Sequence, residues 1–130
     1  MANKLILLDT SILIEYFRKN NKRNSVFYQL VDSKQYEFAV SVITFYEIYI
    51  GVSDGQKEFW DKLFSKIIKI DFNTDCAKTA IEIQKQLKKS NKMIAIPDLL
   101  IGATAKHYGY KIATINVNHF ERIDGLQTVE

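Results

Sequence analysis

Short apolar runs alternate along the chain with longer stretches whose apolar residues recur at helical spacing, and this alternation sets the expected elements. The run KLILL at residues 4–8 is continuous, as in a strand buried on both faces. It leads into Asp9, Thr10 and Ser11, residue types suited to capping a helix, and SILIEYFRKN then reads as a short helix. A second helix is expected near residues 24–33, where Val26, Phe27, Leu30 and Val31 share a face. EFAVSV alternates as a strand, and ITFYEIYIGV follows as an apolar helix ending near Gly51. Between Gly55 and Phe64, the residues Phe59, Trp60, Leu63 and Phe64 form one stripe, a core face by default. KIIKID is a strand, and TDCAKTAIEIQKQLKKSN is an amphipathic helix opened by Thr74 or Asp75. Pro97 and Asp98 open a further helix, DLLIGATAKHY, closed by Gly109. YKIATI is the last full strand, with LQTV as a short edge strand.

Strands that alternate with helices predict an α/β sandwich, a mainly parallel central sheet flanked by helices on both faces. No stretch is rich enough in Pro, Gly or Ser to be a linker, and no repeat is visible, so residues 1–130 read as one domain. In such a fold, ligands collect beyond the carboxyl ends of the strands.

Composition narrows the picture. A chain of 130 residues buries roughly two-thirds of its unfolded surface without staples. Its single cysteine, Cys76, excludes an internal disulfide framework, reads as a small buried residue, and suits a reducing, cytoplasmic setting. The longest runs free of Lys, Arg, Asp and Glu, at 38–46 and 112–120, are too short to span a membrane. The opening MANKLILLDTSILI carries an aspartate inside its apolar stretch and lacks a cleavage pattern, so no signal peptide is expected. A net charge of +3 permits a nucleic-acid partner without requiring one.

The placement of three acids is the strongest chemical signal. Asp9 is the lone charge in LILLDTSILI, Glu47 in VSVITFYEIYIGVS and Asp98 in MIAIPDLLIGATA. An unpaired carboxylate taken out of water costs several kcal/mol, and no Lys or Arg lies in any of these segments. A divalent cation compensates several carboxylates at once. Asp9 ends the first strand, and Asp98 opens a helix whose lead-in can reach the same edge. Thr44, Glu47, Ile48 and Gly51 share a helix face, with Gly51 placed to permit a close approach. Helix capping is the alternative role for Asp9 and Asp98. It does not account for Glu47, which lies in mid-helix.

LLDTSILIEYF, SVITFYEIYIG and IPDLLIGATAKHYGYKIATINVNHFERIDGL, in this order, resemble the PIN-domain ribonucleases, specifically the VapC-type toxins of toxin–antitoxin pairs. The resemblance spans nearly the whole chain. It implies a PIN-like sandwich whose acids hold Mg²⁺ or Mn²⁺ and which hydrolyses RNA phosphodiesters to leave a 5′-phosphate. By position, Asp9, Glu47 and Asp98 match the three family acids. Asp9 and Asp98 are implied as metal ligands, and Glu47 as a further ligand or a group that orients the attacking water. Asn116 stands where many members have an aspartate, and His119 precedes Phe120 where others have one. Asn116 offers a carbonyl oxygen but no charge, so the likeness implies one firm metal position and a weaker second. It also implies an antitoxin whose tail covers the acidic pocket, and a homodimer. A domain that kept the fold but lost activity with the fourth acid, binding RNA or a partner instead, is the alternative.

Other chemistries are less well supported. Arg18, Lys19, Lys22 and Arg23, and Lys85, Lys88, Lys89 and Lys92, form two basic clusters that suit phosphate contacts or simply solvated helix ends. His107 and His119 lack partners at zinc-ligand spacing, and neither has the context of a nucleophilic triad. A haloacid-dehalogenase-type phosphotransferase, which also ends its first strand in aspartate, needs a second aspartate where Ser11 stands.

Overall fold

A computed structural model describes residues 4–129. Met1–Asn3, which belong to the segment read for a leader, lie outside them. The elements follow in the order β1 (Lys4–Leu8), α1 (Thr10–Arg18), α2 (Val26–Asp32), β2 (Tyr36–Ser41), α3 (Val42–Ile50), α4 (Lys57–Phe64), β3 (Ile68–Ile70), α5 (Thr74–Lys89), α6 (Ile96–Tyr108), β4 (Lys111–Ala113) and α7 (Val117–Phe120). The strands form one sheet in the order β3-β2-β1-β4, and all its pairings are parallel.

The continuous apolar run of β1 belongs to a strand covered on both sides. Its successive side chains point to opposite faces. Ile6 and Leu8 join Ile12, Leu13, Phe27, Trp60 and Phe64 in one core. Leu7 joins Ala39, Ile83, Leu87, Leu99 and Ile112 in the other. Two cores on one sheet make the three-layer sandwich that the sequence pattern predicts. Trp60 and Phe64 are buried, so the aromatic stripe is core. Cys76 is buried too. Among the described residues, no helix is long and apolar enough to cross a membrane.

Several local expectations change. Helix α5 is capped by Asn73, whose side chain accepts from the Cys76 amide, and not by Thr74 or Asp75. LQTV forms no strand; Thr128 makes a single parallel bridge to Ile112. The four-residue α7 has no apolar period for a sequence pattern to show. At Gly51 an added Cβ would meet only the Ile48 carbonyl oxygen, at 3.7 Å, so no close approach occurs there. The close approach is at Gly102, where a Cβ would lie 2.5 Å from Ile123 Cδ1. A glycine in the middle of α6 thus lets the segment after β4 pack against the helix that carries Asp98.

Strand order fixes where a ligand fits. From β1 the chain crosses to β2 on one side, while β4 flanks β1 on the other. The order therefore reverses between β1 and β4, and the crevice beyond their carboxyl ends is a topological switch point.

Candidate metal centre

Asp9 sits at that switch point. Its backbone N–H donates to the Ala113 carbonyl at 2.9 Å, continuing the β1–β4 ladder past the end of both strands. Its side chain makes no capping hydrogen bond to α1, so capping is not what holds it. Instead Asp9 Oδ2 accepts two hydroxyl protons, from Ser11 Oγ at 2.7 Å and Thr114 Oγ1 at 2.6 Å. The residue is 1% exposed. Burial raises its pKa above the usual aspartate range; the Thr114 and Ser11 hydroxyls pull it down, the negative charge of Asp98 pushes it up, and the Thr10 amide lowers it slightly. Asp98 is thus close enough for its charge to be felt at Asp9.

Asp98 stands in the first turn of α6, behind Pro97, and the N-cap position is held by Ala95 instead. Its Oδ2 lies 3.1 Å from His119 Nδ1. Glu47, half-buried on α3, accepts at Oε1 from Thr10 Oγ1 at 2.8 Å, and the same hydroxyl is hydrogen-bonded to Thr44 Oγ1 at 2.9 Å. Thr10 is the neighbour of Asp9, so this bond ties Glu47 to the end of β1. Helix α3 is less buried than its apolar sequence suggests, with Tyr46 63% and Ile50 70% exposed. Glu47 therefore sits at a margin of the fold and not in a core. Asn116 is exposed; its N–H donates to Thr114 Oγ1 at 2.9 Å, and its side chain bonds none of the three acids.

The four residues singled out by sequence thus gather at one edge with unequal closeness. Asp9 and Asp98 form the centre, Glu47 is linked through Thr10, and Asn116 lies on the rim. Among the described residues, no three His, Cys, Asp or Glu side chains form a ready-made metal cluster. The expected Asp9–Glu47–Asp98 ligand set is therefore not assembled as a cage. Glu47 is turned toward Thr10 and Thr44.

A hard divalent cation nevertheless fits the pair. Every donor there is oxygen, and Mg²⁺ is commonly held by one or two carboxylates with waters and phosphate oxygens in its other positions. Among the described residues, the acids have no Lys or Arg partner: the ion pairs are Lys57–Asp61, Lys62–Glu58 and His119–Asp98. A buried, desolvated Asp9 beside a second carboxylate is the setting a cation relieves.

Sequence reasoning missed the hydroxyl ring and the histidine. Thr10, Ser11 and Thr114 orient the acids, and His119 binds Asp98; a lone histidine and scattered Ser and Thr residues give no periodic signal. Of the basic clusters, Lys22 is committed to the fold. Its Nζ donates to the Phe17 and Lys19 carbonyls at 2.6 and 2.9 Å and lies 5.3 Å over the Tyr16 ring. Lys85, Lys88, Lys89 and Lys92 are solvent-exposed at the end of α5 and just beyond it.

Known proteins resemble this chain in sequence and in fold. The model of the family described as PIN domain matches residues 6–126. Ribonuclease VapC1 of Methanocaldococcus jannaschii is 33% identical over 119 residues, covering 91% of this chain and 80% of its own length. The tRNA(fMet)-specific endonuclease VapC of Shigella flexneri is 28% identical over 127 residues, with 94% of each chain covered. Among solved structures, VapBC2 from Rickettsia felis, bound to a DNA fragment from their promoter, superposes with a TM-score of 0.85. It is 26% identical and covers 96% of this chain and 97% of that one. A toxin–antitoxin complex from Klebsiella pneumoniae gives a TM-score of 0.75 at 26% identity, covering 95% of this chain and 96% of that one.

Proposed function

The chain belongs to the PIN domain family, and from that premise we propose that it is a VapC-type endoribonuclease, the toxin of a toxin–antitoxin pair, dependent on Mg²⁺ or Mn²⁺. The observation that carries the reading is the buried Asp9 beside Asp98 at the switch point, each oriented by its own hydrogen-bond partners and neither met by a Lys or Arg among the described residues.

Asp9 and Asp98 would hold the cation, with Glu47 adding negative field and orienting water at the margin. When bound, the cation supplies Lewis acidity toward the scissile phosphate and lowers the pKa of water. The chain's own contribution is preorganisation. Ser11 and Thr114 occupy Oδ2 of Asp9, and His119 occupies Oδ2 of Asp98, so each carboxylate is held in one orientation. Asn116, on the rim, is placed to meet the substrate.

The relatives' names support RNA as substrate, and the complexes support an antitoxin partner, whose tail in this reading would cover the acids. A cytoplasmic homodimer belongs to the same reading and is testable by sedimentation and cell fractionation. The decisive experiment is cleavage of an unstructured RNA with Mg²⁺, with chelator, and by Asp98→Asn. Cleavage should require the metal and vanish in the folded variant; a folded Asp98→Asn protein with full activity refutes the assignment. The neutral Asn116 and the absence of a three-acid cluster among the described residues favour one second reading, a weakened or inactive domain that binds RNA or a partner. Binding without metal-dependent cleavage would select it.

A further inference from the structure

The loop after β4 forms an open hollow of about 210 Å³, lined by Ile115, Asn116, Val117, Asn118 and His119, the last of which meets Asp98. No Lys or Arg lines it, which sets it apart from a phosphate cradle. Its walls offer different chemistry. Asn116 and Asn118 are exposed; the Asn116 backbone donates to Thr114 Oγ1 and accepts from the His119 N–H, while among the described residues neither side-chain amide is hydrogen-bonded. A carboxamide presents a donor and an acceptor side by side, the pattern that pairs with a base edge. Ile115 is 45% exposed and apolar. The His119 ring is held through Nδ1 by Asp98.

The hollow is also fastened to the acids. Thr114 donates to Asp9, the Ile115 amide donates to Ser11 Oγ at 3.2 Å, and Ser11 in turn donates to Asp9. One wall is therefore tied to each central carboxylate, and a ligand in the hollow lies next to whatever the carboxylates act on.

We propose that this hollow is the subsite for an unpaired nucleobase flanking the bond that is cut, with the His119 ring as its stacking wall and the Asn116 and Asn118 amides reading the base edge. The proposal rests on the ribonuclease reading and names what that site recognises. Sequence-specific RNA recognition uses unpaired bases, stacked on flat side chains and hydrogen-bonded along their edges.

Two measurements on the full chain test this. In the first, the wild-type protein in EDTA is titrated with a short unstructured oligoribonucleotide, and with versions made abasic at single positions, while amide NMR signals are followed. The signals of Ile115–His119 should shift, and one abasic position should abolish those shifts. No shift in this segment, or shifts that persist at every abasic position, overturns the proposal. In the second, cleavage-site preference is profiled with Mg²⁺ on oligonucleotides randomised around the cut. The wild type should favour one nucleotide beside the cut by about 10-fold or more, and Asn118→Ala, at an exposed position, should reduce this below about 3-fold without changing other positions. A flat wild-type profile, or one unchanged in both Asn118→Ala and Asn116→Ala, overturns it. The NMR signature without any RNA cleavage keeps the base subsite and removes the ribonuclease reading. Cleavage with neither signature nor altered profile does the reverse.

Discussion

Replacing Thr114 by Val removes one hydroxyl and almost nothing else. The bond lost is the one from Thr114 Oγ1 to Asp9 Oδ2, 2.6 Å long and made to a carboxylate that is 1% exposed. A hydrogen bond to a charged group contributes about 1.5–3 kcal/mol, and burial here leaves little water to replace it. The Asn116 amide also loses its acceptor, but that residue is exposed and turns to water at small cost. A loss of about 2 kcal/mol is therefore expected at pH 7, which for a domain of this size lowers Tm by about 8 °C. Thermal unfolding followed by circular dichroism without divalent ions measures it, and Thr114→Ser, which restores the hydroxyl, should recover most of it.

The pH dependence adds a second check. Burial raises the Asp9 pKa above 3.8, so the proton it binds in the folded state favours folding. That contribution is complete below 3.8 and is lost as pH rises through the raised value. The Thr114 bond acts in the opposite sense, because it favours the ionised carboxylate. The gap between wild type and Thr114→Val should be widest where Asp9 is charged and narrow as acid protonates it. A gap within about 0.5 kcal/mol of zero at pH 7, inside the usual range for surface substitutions, or one constant with pH, refutes the argument.

Three further outcomes are expected. Mg²⁺ at about 100 times its Kd should stabilise the fold by about 2.7 kcal/mol, chelator should reverse this, and Asp98→Asn should abolish the shift; equal stabilisation of that variant would remove Asp98 from the site. Lys22→Met keeps the stem but loses two carbonyl bonds and the position over Tyr16, so it should cost about 1–2 kcal/mol with RNA affinity unchanged. Weaker RNA binding at full stability would make Lys22 a phosphate contact instead. Gly109 caps α6 at φ 75° with nothing near its missing Cβ, so Gly109→Ala should cost about 1 kcal/mol from backbone strain alone, and a chemical denaturation midpoint at or above wild type would contradict this.

The acids were legible because charge is rare in apolar segments, and a lone Asp at a strand end needs nothing beyond the sequence to be noticed. The sheet was legible for a similar reason: a buried parallel strand reads as a continuous apolar run. What orders the acids was not. Thr114 meets Asp9 across 105 residues, and no local pattern distinguishes it from any other threonine after a strand. His119 has no partner in sequence and finds Asp98 only through the fold. Glu47 stood out by its apolar neighbours, yet those neighbours do not imply burial, for α3 keeps Tyr46 and Ile50 in solvent. Gly51 and Gly102 look alike as letters; only the packing of Ile123 shows which of them admits a neighbour.

The bond between the Asp9 amide and the Ala113 carbonyl has a consequence for synthesis. A ribosome delivers Asp9 well before β4. Until β4 docks, β1 is an outer strand and Asp9 lacks Thr114, its backbone acceptor and the wall that carries His119. A nascent or truncated chain ending before Thr114 contains Asp9, Glu47 and Asp98 but lacks the Thr114 and His119 partners that orient Asp9 and Asp98. Closing a parallel pair over such a span is a slow, late event in folding. The acidic centre therefore gains its full set of hydrogen bonds only once β4 and the loop after it are in place.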